Sequence, residues 1–169
     1  NFTFSMSDFG VAGKGEFEGD TLLSVGSFEF IIDLMSVVNG DQIGINAIIL
    51  DEPQINVVVL ENGKANYDIA VASEEAEAPV EEAPSPEATE TAAFNVSIKK
   101  WEIINGSLIY NDRSMDVYAA IRGLYHSGSG DFSQDIFDLN TKTRVNKLTT
   151  SFEGVNYLRN KQLDMEITL

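Results

Sequence analysis

The single histidine, His126, is the side chain of this sequence best suited to moving a proton near neutral pH, and a serine follows it directly. Ser127 and the nearby Asp131 would supply the nucleophile and the acid of a hydrolytic triad. Such a triad works only when its three groups meet in space, and neighbours in sequence do not establish that geometry. We therefore interpret His126 as a histidine of a loop or an edge strand, and we expect no catalytic residue and no enzymatic activity.

Phosphate and metal sites are also poorly represented. The glycine-rich run at 13–19 (GKGEFEG) lacks the spacing and the strand-then-helix setting of a phosphate loop, and its glutamates would repel an anion. Asn111, Asp112 and Asp131 offer oxygen ligands, but no run alternates them as a calcium loop does. The chain contains no cysteine, which excludes disulfides and thiolate-bound zinc. We expect neither a metal site nor a cofactor.

The charge of the chain excludes another class of partner. The formal net charge is −16, from 11 basic and 27 acidic side chains, and no stripe of Lys or Arg offsets it. Such a surface repels phosphates, so we expect no nucleic acid partner. Asp51, Glu52 and Pro53 interrupt the longest apolar run, which is therefore no helical membrane span. We expect the chain to be a segment of a longer protein.

Residues 73–92 form the clearest boundary in composition. They consist of Ser, Glu, Ala, Pro, Val and Thr alone, with no aromatic and no basic side chain. Such a stretch cannot bury enough apolar surface to offset the entropy lost on ordering it. We predict a disordered, acidic Glu/Ala/Pro linker at 73–92, lying within one β domain fragment that spans 1–169.

Elsewhere the pattern is that of strands joined by turns, because apolar side chains alternate with period two. Asn62-Gly63 and Asn105-Gly106 are typical of hairpin turns, residues 51–54 predict a further turn, and residues 34–39 predict a short helical turn. Short connections favour antiparallel pairing. We predict a mainly β protein with a curved antiparallel sheet, built as a meander that is groove-like or forms a partly closed sandwich.

Several strands carry apolar side chains on both faces, since Ile48 and Leu50 are predicted to oppose Ile45 and Ile49. A sheet of this kind must be covered on both sides or must meet a ligand. Two interpretations stay open: a sandwich core, or a groove for acyl chains in which each buried methylene contributes about 0.8 kcal/mol. For the groove, the candidate lipid-facing positions are Ile43, Ile45, Ile55, Val57, Val59, Phe94, Val96 and Ile98.

Two blocks of this sequence share apolar strands, a glycine turn and an ending in which an aromatic residue precedes an Asp. The first block covers 48–57 (IILDEPQINV) and 61–69 (ENGKANYDI). The second covers 94–98 (FNVSI) and 103–112 (IINGSLIYND), and an acidic low-complexity insert separates the two blocks. In these features the chain resembles the AsmA-like family of bacterial envelope proteins, which usually has Trp at the position of Tyr67.

The resemblance implies a location and a function. Members of the family are long, curved antiparallel sheets with an apolar inner face, held at the inner membrane by an N-terminal helix that this chain lacks. They act in outer-membrane biogenesis and envelope lipid homeostasis, with bridge-like phospholipid transfer as the leading idea. We therefore expect a periplasmic segment that binds a phospholipid or another acyl-chain lipid. The alternative is a structural or interaction module that recruits envelope proteins by strand addition.

Overall fold

The computed structural model of the protein describes residues 1–39, 43–68, 96–130 and 138–169. The predicted linker at 73–92 lies outside these residues. The elements are β1 (Phe2–Ala12), a 3-10 turn (Gly15–Phe17), β2 (Thr21–Ile32), α1 (Leu34–Asn39), β3 (Ile43–Asp51), β4 (Gln54–Val59), β5 (Val96–Asp112), β6 (Val117–Gly130), β7 (Asn140–Phe152) and β8 (Val155–Thr168).

All of these strands belong to one sheet. Its order is β1-β2-β3-β5-β6-β7-β8, and β4 pairs with both β2 and β5. The mainly β fold that the alternation predicted is confirmed, and α1 coincides with the predicted helical turn at 34–39. Strands from both sides of residues 69–95 share the sheet, because β3 and β4 precede that stretch and β5 follows it.

The pairing around β5 differs in one detail from the expected antiparallel arrangement. β3 and β4 both run parallel to β5, with Ile43 opposite Val96 at one end and Val59 opposite Asp112 at the other. Parallel strands need a crossover of a dozen or more residues, and the connection at 60–95 is long enough to provide it. The remaining pairs are antiparallel.

Residues 51–54 do not reverse the chain, so the prediction of a turn there is wrong. β3 and β4 lie end to end and pair with successive parts of the same neighbouring strand, β5. The amide of Glu52 donates to the carbonyl of Ile104 at 2.8 Å, and the amide of Ser107 donates to the carbonyl of Pro53 at 2.8 Å. Pro53, which has no amide hydrogen, therefore interrupts the strand without opening the sheet.

A line of left-handed residues crosses the sheet near its middle, and we call it the bulge line. Its members have φ between 48° and 62°, and each lies inside a strand or, for Glu52, between β3 and β4. They occur in β1, between β3 and β4, and in β5, β6 and β8, whereas β2 and β7 contribute no member. Left-handed residues in strands form bulges that bend the strand and increase its twist. The members are Asp8, Glu52, Asn105, Gly123 and Asn160.

The two Asn-Gly dipeptides have different roles. Asn62-Gly63 forms a turn as predicted, and the amide of Leu60 donates to the carbonyl of Lys64 at 2.8 Å. Asn105-Gly106 lies inside β5, so the predicted second hairpin is wrong. A bulge and a hairpin turn both need a residue in the left-handed conformation, and Asn adopts that conformation more readily than most residues. A Cβ at Gly106 would lie 2.9 Å from Cγ2 of Ile103, which explains the glycine.

Candidate functional site

One face of the sheet, which we call the apolar face, carries three rows of apolar residues that cross most of the strands. Residues directly opposite each other on paired strands share a face. The first row is Phe2, Ile32, Ile45, Ile98 and Gly130. The second is Phe4, Phe30, Ile48, Trp101, Gly128, Thr141 and Ile167. The third is Met6, Phe28, Leu50, Ile103, His126, Thr143 and Met165.

The opposite face carries a different composition at the neighbouring positions. Each residue of its longest row is the neighbour in sequence of a residue in the second row of the apolar face. This longest row contains four ionisable side chains. An ion pair between Arg144 and Asp164, at 3.3 Å, lies on this face. Apolar side chains occur there too, at Ile31, Ile49 and Ile104 in the central strands. The row is Ser5, Glu29, Ile49, Glu102, Ser127, Lys142 and Glu166.

The apolar face continues beyond the bulge line. A Cβ built on Gly106 would meet Cγ2 of Ile103 at 2.9 Å and Cβ of Leu124 at 3.5 Å, so these three positions share a face. Leu108 follows Gly106 on the same face, because side chains alternate along a strand. Leu108 belongs to a further row: Val11, Leu23, Ile55, Leu108, Ile121, Leu148 and Lys161.

Five of the eight candidate positions lie on the apolar face. Ile45 and Ile98 are opposite each other in the first row, and Ile55 begins the β4 part of the row through Leu108. Val57 and Val59 follow on β4 at alternate positions. The structure therefore places these five candidates on one face of the sheet.

The other three candidates are less completely described. Ile43 and Val96 are backbone partners at the start of β3 and β5, and their side chains lie outside the described part of the structure. Phe94 lies outside the described residues altogether.

The predicted division of β3 into two apolar faces is wrong in one respect. Ile45 lies on the same face as Ile48 and Leu50, whereas Ile49 faces the other way. The register shifts between Ile31 and Ile32, so that β3 contains one extra residue at this point. An extra residue inverts the alternation of a strand, and a strict period of two does not anticipate it.

The largest side chains of the apolar face were not among the candidates. Phe28 and Phe30 stack with ring centroids 6.4 Å apart, and Phe4 meets Phe28 edge-on at 6.3 Å. Trp101 lies against Gly128, where a Cβ would come within van der Waals overlap of the indole. The alternation Phe2, Phe4, Met6 in β1 was a usable signal for this cluster.

Within the described structure, the apolar face is open to solvent at its two edges, whereas Ile45 and Val59 on its inner strands are buried. Phe2 and Phe4 keep 51% and 47% of their surface exposed at one edge, and Met165 keeps 41% at the other. None of the large side chains that the structure describes is fully buried. The described strands therefore form one layer with an accessible apolar surface, and not the closed core of a sandwich.

A polar relay interrupts this surface at His126. The indole Nε1 of Trp101 donates to Nε2 of His126 at 3.0 Å, and Nδ1 of His126 lies 2.9 Å from Oγ1 of Thr143. Because an indole nitrogen can only donate, Nε2 of His126 is the acceptor of the first bond. His126 therefore lies in an interior strand, β6, and the prediction of a loop or edge-strand position is wrong.

The residues beside His126 do not form a triad in the described structure. Ser127 is opposite Glu102 on the other face of the sheet. Asp131 lies outside the described residues. The described residues also contain no group of three or more histidines and carboxylates placed to hold a metal ion.

Asp112 lies between Val59 and Val117 in a further row of the apolar face and is 3% exposed. Its carboxylate accepts hydrogen bonds from the hydroxyl of Ser114, from the amides of Ser114 and Met115, and from the hydroxyl of Tyr110. The bond from the Ser114 hydroxyl is the main cause that holds the pKa of Asp112 below its usual value. The same carboxylate raises the pKa of Tyr110. Asp112 thus fixes the turn between β5 and β6.

Comparisons of the chain with protein-family models, with curated proteins and with solved structures found no match. Among the described residues, none of the helical segments has the length and apolar character needed to cross a bilayer.

Proposed function

We propose that this chain is a non-catalytic, lipid-binding segment of a periplasmic envelope protein related to the AsmA-like family. Acyl chains of a phospholipid lie along the apolar face, and the chain contributes to bridge-like lipid transfer between membranes. The observation that carries the proposal is the accessible apolar face, whose first three rows hold no charged side chain among the described residues.

The area and composition of this face favour a flexible apolar ligand. Exposed apolar surface costs roughly 25 cal/mol per Å² relative to burial, so a folded protein keeps such a face only when something covers it. An acyl chain can follow the rows without any hydrogen bond from the protein. His126 and Thr143, the polar side chains of the third row, already bond to each other, and His126 also bonds to Trp101.

Two adjacent isoleucines of β3 offer a matched test. Ile48 lies on the apolar face and Ile49 on the opposite face. We expect delipidated wild-type protein to take up a fluorescent fatty acid or a labelled phospholipid saturably. Ile48→Asn should weaken that uptake, because it adds an amide to the acyl path, and Ile49→Asn should leave it near the wild-type level. Absence of uptake by folded wild-type protein would contradict the proposal.

The open edges of the sheet favour a second candidate, an interaction module that recruits partners by strand addition. Within the described structure, β1 pairs only with β2, and β8 pairs only with β7. β1 also lacks the Lys and Pro residues that commonly protect an edge, since Asp8 is its one charged side chain. If the edge recruits strands, the chain should associate with increasing concentration in sedimentation experiments, and Ser5→Lys with Ser7→Lys should prevent it. A monomer at every concentration would count against self-addition.

A further inference from the structure

A cavity of about 760 Å³ lies where the apolar face meets two loops at one end of the sheet. One loop joins β1 to β2 and contains the 3-10 turn, and the other is the turn at 60–68. Val11, which lines the cavity, is also the first residue of the row through Leu108. The volume falls within the range of known small-molecule sites, about 300–1,000 Å³. The cavity is therefore an extension of the apolar face with room for a ligand group.

Both loops are held in place by their own hydrogen bonds. Asn66, 3% exposed, accepts from the amide of Val58 at 3.0 Å and donates to the carbonyl of Asn56 at 2.6 Å, which fastens the second loop to β4. In the first loop, Phe17 is buried, and a Cβ at Gly13 would overlap it. The walls are thus formed before any ligand binds, which lowers the entropic cost of binding.

The cavity is lined by two cations, Lys14 and Lys64, together with the carboxylates of Glu16 and Asp68. Lys64 pairs with Glu16 at 2.6 Å and so joins the two loops. Asp68 also lines the cavity, and its carboxylate accepts from the amide of Ala65 at 3.2 Å. Lys14 forms no ion pair with any residue that the structure describes. An unpaired ammonium group therefore stands beside an apolar wall that includes Val11, Phe17 and Ala65.

We propose that this cavity binds the anionic headgroup, a phosphate or a carboxylate, of a lipid whose acyl chain lies on the apolar face. Lys14 is the principal contact, and Lys64 contributes a second charge when it turns from Glu16. This inference rests on the proposed function, because it adds a preference for an anionic headgroup at one end of the surface that binds the acyl chain. A charge-assisted hydrogen bond contributes enough to change affinity by about tenfold.

The test compares three ligands on folded, delipidated protein by calorimetric titration: dodecyl phosphate, dodecyl maltoside below its micelle concentration, and inorganic phosphate. We expect dodecyl phosphate to bind about tenfold more tightly than dodecyl maltoside at low salt, and the difference to shrink as salt screens the charge. Inorganic phosphate should bind far more weakly than dodecyl phosphate, because it lacks the apolar contact.

Variants assign the preference to a residue. Lys14→Met removes the charge and keeps most of the apolar stem, so it should abolish the preference for dodecyl phosphate. Lys147→Met, on the opposite face beside Arg122, should leave that preference intact. Thermal unfolding of each variant verifies that it is folded, and Lys14→Glu, which should reverse the preference, gives a second test of the same position.

The outcomes separate the headgroup site from the lipid function. Equal binding of the two amphiphiles, or an unchanged preference in Lys14→Met, would overturn the headgroup site and leave the apolar face as the binding surface. Inorganic phosphate that binds as tightly as dodecyl phosphate would mean a free-anion site and would overturn the link to lipid. Binding of neither amphiphile would contradict the proposed function itself.

Discussion

Two rows of residues cross the same strands side by side, and they differ in almost every chemical respect. The row that begins at Phe4 holds aromatic and aliphatic side chains with no charge, whereas the row that begins at Ser5 holds Glu29, Glu102, Lys142 and Glu166. Neighbouring positions on a strand differ only in the face they occupy. The sheet is therefore amphipathic, with one surface suited to water and the other to an apolar partner.

The two surfaces also respond differently to exposure. Exposed polar side chains of the opposite face need no covering element. The apolar face leaves Phe2, Phe4 and Met165 about half exposed, which a stable protein tolerates best when a ligand or another chain covers them. A change of polarity should therefore have large consequences on one face and small ones on the other.

The largest effect is expected for a charge placed at the edge of the apolar face. Phe4→Glu should weaken the binding of a labelled fatty acid about a hundredfold or more, because an unpaired carboxylate in contact with an acyl chain loses its hydration. Equilibrium titration of folded, delipidated protein measures the change. Phe4 is half exposed, so the fold should tolerate the substitution.

Thr3→Glu is the matched control for this experiment. Thr3 lies next to Phe4 on β1 and faces the other way, opposite Ile31. The control should bind the fatty acid as the wild-type protein does. Equal losses in the two variants would contradict an assignment of binding to one face.

A smaller effect is expected where the apolar face is most tightly packed. Gly128→Ala should destabilise the fold by about 1–3 kcal/mol, because the added methyl group overlaps the indole of Trp101. Denaturant unfolding measures this loss, and the fluorescence of Trp101 should change with it. Ser127→Ala, on the opposite face, should change neither. A Gly128→Ala variant of wild-type stability would show that the indole moves freely on its surface.

The buried carboxylate of Asp112 extends the comparison to pH. The pKa of Asp112 is lower in the folded protein than in the unfolded chain, so its carboxylate contributes stability above the ordinary aspartate pKa of about 3.9. That contribution is lost as the pH falls through the lowered folded-state pKa. Asp112→Asn should lower the urea midpoint at neutral pH and flatten its dependence on acid pH. Curves for variant and wild type that stay parallel below pH about 4 would contradict this role.

The smallest effect is expected on the opposite face. Asp164→Ala removes the exposed ion pair with Arg144, in which both side chains are more than half accessible. Exposed pairs of this kind contribute about 0–1 kcal/mol, and we expect a change below about 0.5 kcal/mol in denaturant unfolding. A loss as large as that of Gly128→Ala would contradict the view that this face is solvated.

The strand content of the fold was predictable from sequence, whereas the line that bends the sheet was not. Apolar residues on one face recur every second position except at bulges, where the spacing becomes three: Met6 to Phe9 and Ile121 to Leu124 cross the bulge line, and Ile45 to Ile48 crosses a separate bulge. If strict alternation is assumed, this change of spacing predicts the end of a strand. The same spacing in several strands was a signal that would have located the bulge line. The parallel pairs of β5 depend on the crossover at 60–95, which local patterns do not specify.

The candidate site was predictable in part for the same reason. Ile45, Ile55, Val57, Val59 and Ile98 were found because β-branched residues alternate around them. Trp101 and His126 were not assigned to the face, because their proximity depends on the register of β5 and β6. Register is fixed by bulges and by pairing across the sheet, and neither appears in the composition of a single strand.

The most direct test of lipid binding on the apolar face uses Trp101, which is the only tryptophan of the chain and lies in the second row of that face. Delipidated protein is titrated with a phospholipid that carries bromine on its acyl chains, since bromine quenches indole fluorescence only at short range. We predict saturable quenching that follows lipid uptake and is absent with the unbrominated lipid. Lipid uptake without quenching, or no uptake by the folded protein, would contradict acyl-chain binding on the apolar face.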